Sequence, residues 1–129
     1  MLDHVTIAAA DFAAALRFYD AALGALGLVR LDELVDEEED EPVLEAAAWG
    51  RPDEGSLIWL VSGPTPTTGL HLRLRAGSTA EVETFHRAAV AAGGRSHGAP
   101  RRWAIYRRGE FNAFVRDPQD NLIEAVAAE

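Results

Sequence analysis

The chain is 129 residues long, 48% hydrophobic, without cysteine, and carries a formal charge of −9. That length suits one domain with a sizeable core, the composition excludes a disordered tail, and the missing thiols exclude disulfides and thiolate metal sites. No apolar run approaches the roughly 18–20 residues that cross a bilayer, and Met1-Leu2-Asp3-His4 lacks the basic start of a secretory signal. The expectation is a soluble, cytoplasmic protein with no membrane partner.

In chain order, Leu2–Ile7 alternates like a strand. Asp11 follows as an N-cap, its carboxylate suited to the orphan amides of a first helical turn. The helix it opens runs over Phe12–Leu26, with Phe12, Leu16, Tyr19 and Leu23 on one apolar face and Gly24 and Gly27 near its end. Short strands are predicted at Leu28–Leu34, Val43–Trp49 and Ser56–Ser62, the last two separated by the turn Gly50-Arg51-Pro52-Asp53-Glu54-Gly55.

The stretch 32–45 holds Asp32, Glu33, Asp36, Glu37, Glu38, Glu39, Asp40, Glu41 and Glu45 with no base among them. Like charges repel and stay solvated, so it reads as a flexible acidic loop, with docking of a cation as the secondary reading. Outside it, acids and bases balance. There is no net basic footprint, so nucleic acid is not an expected partner.

After Gly63-Pro64-Thr65-Pro66-Thr67-Thr68-Gly69, which reads as a linker, the pattern starts again. Leu70–Arg75 is a strand. Ser78 is an N-cap with Glu81 placed for a capping box, and a helix over Thr79–Ala92 carries Val82, Phe85 and Ala89 before Gly93-Gly94. Strands follow at Arg101–Arg107, Phe111–Arg116 and Asn121–Ala127, with Asp117-Pro118-Gln119-Asp120 as the last turn. The offset that relates His4 to His71 also relates Asp11 to Ser78, Phe18 to Phe85 and Ala22 to Ala89. One offset across strand, cap and helix marks a duplication. The chain is therefore an α+β single domain, 1–129, made of two βαβββ modules, 1–62 and 69–129. Each module is too small to bury both faces of its sheet, and their pairing is expected to create a central cleft.

Strand alternation assigns directions. Leu2, His4 and Thr6 oppose Val5 and Ile7; His71, Arg73 and Arg75 oppose Leu70, Leu72 and Leu74. The apolar faces belong against the helices, which turns both histidines toward the cleft. Trp59 and Glu124 occupy equivalent positions on the closing strands and can face the same way. Two imidazoles and a carboxylate make a facial set suited to a divalent ion, Fe(II) first, with Mn, Ni or Zn accepting the same donors. His4, His71 and Glu124 are thus the candidate metal ligands; the alternative for each is a hydrogen-bonded core or surface side chain. Arg73 can grip a substrate carboxylate through its planar fork, or pair with Glu124 or a nearby acid. Trp59, with Trp49 and Trp103, can line an aromatic-accepting pocket. Tyr106 and His97 are candidate proton donors or bases. His86 lies beside the apolar stripe of its helix and stays out of the site.

Gly69-Leu70-His71-Leu72-Arg73-Leu74-Arg75-Ala76, Phe85-His86-Arg87-Ala88, and above all Ala113-Phe114-Val115-Arg116-Asp117-Pro118-Gln119-Asp120-Asn121-Leu122-Ile123-Glu124-Ala125-Val126 carry a resemblance. Nearly the whole chain resembles the vicinal oxygen chelate superfamily of glyoxalases, bleomycin-resistance proteins and extradiol dioxygenases. The resemblance implies a paired βαβββ fold, a homodimer, a divalent metal on His4, His71 and Glu124, and a small substrate bound through adjacent oxygens. Trp59 stands where glyoxalase I-like members place a fourth, acidic ligand, which leaves a three-ligand set like that of the dioxygenases. Glu110 and Phe111 replace tyrosines common in small relatives, and Asp120 replaces a turn glycine. Metal-free binding of a cationic antibiotic, or lyase or isomerase chemistry on the same ligands, are the rival functions the resemblance implies.

Overall fold

The computed structural model describes residues 1–38, 40–103 and 109–128. The first module comprises β1 (Val5–Ala9), α1 (Phe12–Ala25), β2 (Val29–Asp36), β3 (Val43–Arg51) and β4 (Gly55–Ser62). The second comprises β5 (His71–Arg75), α2 (Thr79–Ala91), β6 (Arg95–Arg101), β7 (Glu110–Arg116) and β8 (Leu122–Ala128). Each forms a four-stranded sheet of the same topology, β1-β4-β3-β2 and β5-β8-β7-β6, with the first strand parallel to the last. The duplication extends to backbone detail: Gly55 and Asp120, which close equivalent turns, both have positive φ, 86° and 69°. Asp is among the few non-glycine residues that adopt this conformation at modest cost.

The caps act as their sequences predict. Asp11 Oδ1 accepts from the Ala14 amide, and Ser78 Oγ from the Glu81 amide. Glu81, however, reaches back to the Gly77 amide (3.0 Å) rather than to Ser78. Two expectations need correction. The acidic stretch is not one loop: Asp32, Glu33 and Glu45 lie in the strands predicted at Leu28–Leu34 and Val43–Trp49, and β2 runs two residues further, to Asp36. Leu34 and Val35 separate Glu33 from Asp36, and all three acids of β2 are partnered: Asp32 accepts from Ser56, Glu33 from Arg30, and Asp36 from the Glu38 amide. The strand expected at Arg101–Arg107 does not continue through Arg102 and Trp103, and its remaining residues lie outside the described ones; the strand found is Arg95–Arg101, where Arg95 pairs with Arg116 and Ser96 with Val115. Gly98 misleads sequence reading there. A Cβ on it would meet the Trp103 ring at 2.6 Å, so glycine lets the indole lie against the strand.

Ile7, Ala9, Ile58 and Leu60 of the first sheet, and Ile123, Ala125 and Ala127 of the second, are buried with Phe18, Leu23, Val82 and Phe85 of the helices in one continuous core. The modules meet where α1 packs on α2. Gly94 permits this closeness, because a Cβ there would stand 2.6 Å from both Phe18 and Val115. Tyr19 of α1 donates to Asp117 in the β7–β8 turn at 2.6 Å. Burial first, and the Asp117 charge second, hold the Tyr19 phenol well above its ordinary titration range. The 63–69 segment packs on β1, its Thr67 amide donating to Ala8 O (2.9 Å). Because the helices form the seam, the sheet faces turned away from them stay open, and the chain by itself does not enclose the cleft. No helix among the described residues is long and apolar enough to cross a membrane.

Candidate functional site

The open face of the second sheet carries His71 and Arg73 on β5, Glu124 on β8, and Glu110, Asn112 and Phe114 on β7. Register fixes their meeting: Arg73 lies opposite Glu124, which lies opposite Phe114. Glu124 is 0% exposed, and its carboxylate is held on both oxygens. Oε1 faces His71 Nε2 at 2.9 Å. Oε2 accepts from Arg73 Nε (3.1 Å) and Asn112 Nδ2 (2.6 Å). Arg73 also donates to Glu110 at 2.7 Å, and these contacts raise its already high pKa against the opposing effect of burial. A buried carboxylate is tolerable only with such donors.

The open face of the first sheet is apolar. Trp59 lies opposite Thr6 and Ala48, and Val61 opposite Ala8 and Ala46. Leu34 and Leu57 are 58% and 42% exposed. His4 sits just before β1, its side chain 42% exposed, with Nδ1 2.7 Å from Asp3 and its ring 6.5 Å from Trp59. The two modules thus repeat one arrangement with different chemistry, histidine against carboxylate in the second and histidine against indole in the first.

Of the expected ligands, the chain brings His71 and Glu124 together and leaves His4 on the other sheet. Among the described residues, no three His, Asp or Glu side chains converge as a metal site. The two that meet fit a metal in one respect: bonds of about 2.1 Å at a right angle set donor atoms about 3.0 Å apart, and His71 and Glu124 are 2.9 Å apart. The same spacing is that of a direct N–H···O hydrogen bond between the two side chains. Arg73 takes its alternative role, pairing with Glu124 and Glu110. Trp59 is half-buried on the open face, but Trp49 is buried on the helix side, donating to Asp20 at 2.9 Å. His97 is exposed on the edge strand β6, separated from β8 by β7. Tyr106 lies outside the described residues.

Sequence reading missed Asn112 as a Glu124 partner, although alternation in Glu110-Phe111-Asn112-Ala113-Phe114 puts it on the polar face. Its Oδ1 is buried without a hydrogen-bond partner among the described residues. Trp103, which the sequence offered as a pocket tryptophan, donates Nε1–H to Asn112 O (3.2 Å), meets Phe114 edge-on at 5.4 Å, and lies under the Arg101 guanidinium at 3.7 Å. Aromatic and cationic surface therefore borders the carboxylate.

Tandem βαβββ modules with a polar constellation on one open sheet face define a small paired-module protein. The sequence profile of the Glyoxalase/Bleomycin resistance protein/Dioxygenase superfamily matches residues 1–125, and the chain belongs to that superfamily. A search of curated protein sequences finds no significant match. Among solved structures, the chain is similar to a glyoxalase/bleomycin resistance protein from Albidiferax ferrireducens T118, at 25% identity over 100% of this chain and 99% of that one, with a TM-score of 0.77. A glyoxalase/bleomycin resistance protein/dioxygenase family enzyme from Burkholderia phytofirmans PsJN shares the fold at 17% identity and a TM-score of 0.64, covering 98% of each chain. TioX from Micromonospora sp. ML1 does so at 15% identity and a TM-score of 0.65, again over 98% of each.

Proposed function

We propose that this chain is a divalent-metal-dependent enzyme of the glyoxalase/dioxygenase type, acting on a small substrate that binds through two adjacent oxygens. The observation that carries this reading is the meeting of the His71 imidazole with the buried Glu124 carboxylate, two donor types that bind divalent ions together. His4 is the third ligand, contributed by a second copy. The modules of one chain join through their helices, so a homodimer that lays the open first sheet of one copy across the open second sheet of the other brings His4 and Trp59 to His71 and Glu124. It also covers Leu34 and Val61, whose apolar surface favours burial. Fe(II) suits this donor set first, with Mn, Ni or Zn able to replace it. When bound, the ion polarises the substrate oxygens and stabilises negative charge on them.

The chain's own residues prepare that site. Arg73 and Asn112 occupy Glu124 Oε2, so only Oε1 is presented, and carboxylate orientation is set by its outer hydrogen bonds. Trp59 offers its half-buried ring to a planar substrate. With Trp59 in place of a fourth carboxylate, the three-ligand set favours dioxygenase over lyase or isomerase chemistry.

A second reading rests on Arg73, which already gives Glu124 a cationic partner: a metal-free protein that sequesters a cationic antibiotic. Metal analysis of protein purified without chelator, followed by titration with Fe(II) and Mn(II), separates the two. The enzyme reading expects about one ion per chain, lost in His71→Ala and Glu124→Gln. Wild-type protein that is metal-free and takes up neither ion contradicts it and leaves the sequestering reading.

A further inference from the structure

The duplication makes two equivalent seams between the modules, and the structure treats them differently. At one seam Gln119, from the β7–β8 turn, reaches the end of β1. Its Nε2 donates to Ala8 O (2.9 Å) and Thr67 O (3.1 Å), and its Oε1 accepts from the Ala10 amide (3.1 Å). At the other seam the β3–β4 turn faces the end of β5. The residue equivalent to Gln119, by the register that equates Trp59 with Glu124, is Glu54. A carboxylate cannot donate to backbone carbonyls as the Gln119 amide does. The amide equivalent to that of Ala10, on Gly77, is already taken by Glu81. This seam is therefore unplugged, and a cavity of about 440 Å³ opens there.

Its wall is apolar at Leu28, Leu57 and Leu74, and Arg51 and Arg75 line it together with Glu54. Neither guanidinium forms an ion pair or hydrogen bond with any described residue, although Arg51 O accepts from the Glu54 amide, whereas Arg30, Arg73 and Arg95 all have acidic partners. Two unengaged guanidiniums beside a leucine wall, in a volume within the usual range for small-molecule sites, match one chemistry.

We propose that this seam is a second ligand site, separate from the His71–Glu124 face, that binds a small amphipathic carboxylate with its anion at Arg51 and Arg75 and its chain along Leu28, Leu57 and Leu74. Calorimetric titration of the full chain with sodium octanoate, 1-octanol and octylamine tests it, with methyl NMR locating the contact. The expected result is 1:1 octanoate binding that shifts the Leu28, Leu57 and Leu74 methyls. Binding should weaken by at least about tenfold in the Arg51→Gln/Arg75→Gln double variant, with both other compounds at least about tenfold weaker on the wild type. Both arginines are exposed, so the variant is expected to fold; its melting curve checks this. Octanol binding as tightly as octanoate, unchanged affinity in a folded double variant, or shifts confined to residues around Glu124 would overturn the proposal, as would no heat at all. None of these outcomes bears on metal binding by His71 and Glu124.

Discussion

Replacing Tyr19 by Phe removes one hydroxyl and leaves the ring, so it isolates the hydrogen bond that ties α1 to the second module. Asp117 is 2% exposed. Its Oδ1 accepts from the Gln119 and Asn121 amides at 2.8 and 2.9 Å, and its Oδ2 from Asn121 Nδ2 at 3.0 Å and Tyr19 Oη at 2.6 Å. Three donors survive the substitution, so the carboxylate is weakened rather than stranded. Loss of one hydrogen bond to a charged group costs about 2 kcal/mol. At about 2.1 cal/mol/K of unfolding entropy per residue, a chain of this length loses roughly 7 °C of melting temperature. Calorimetric melts at neutral pH measure this directly. The same bond sets a pH dependence. Because burial and Asp117 raise the folded-state pKa of Tyr19, the folded chain keeps a proton that the unfolded chain releases above about pH 10. Stability therefore declines as pH rises through that range, and Tyr19→Phe flattens the decline. A melting point within about 1 °C of wild type, together with an unchanged alkaline slope, would refute this account of the joint between modules.

Gly94→Ala should cost about 1–3 kcal/mol in urea unfolding, because its methyl group meets Phe18 and Val115 at 2.6 Å and the Ala89 carbonyl oxygen at 2.8 Å. An unaffected midpoint would mean that the helix seam is looser than described. Asn112→Ala frees Glu124 Oε2 of its shortest hydrogen bond and should weaken metal binding by roughly 10–100-fold, read by competition with a chelating dye. An unaltered affinity in a folded variant would remove Asn112 as the residue that orients the carboxylate.

The repeat made the architecture readable, because strand alternation, caps and turn residues recur at matched positions. It also placed Trp59 and Glu124 correctly, each on the open face of its own sheet. Two features escaped for physical reasons. Val35 and Asp36, by which β2 outruns its predicted end, read as part of a solvated acidic loop, because their strand form comes from pairing with Leu44 and Val43 rather than from local pattern. The β6 strand is short in apolar residues and takes its form from β7 and from the indole against Gly98, contacts that no local pattern encodes. At the site, His71 and Glu124 were legible as a pair. The separation of His4 was not, since it depends on which surfaces the modules use to join, and that is decided by side-chain fit at Gly94, Phe18 and Tyr19 rather than by periodicity.

Subunit complementation asks most directly whether the site is shared between two copies. His4→Ala and His71→Ala chains are each expected to lose the metal. Refolded together, they form mixed dimers in which one of the two sites keeps every ligand, so about a quarter of the wild-type metal content should return. If the mixture binds no more metal than either variant alone, or if His4→Ala binds like the wild type, the second copy does not complete the site.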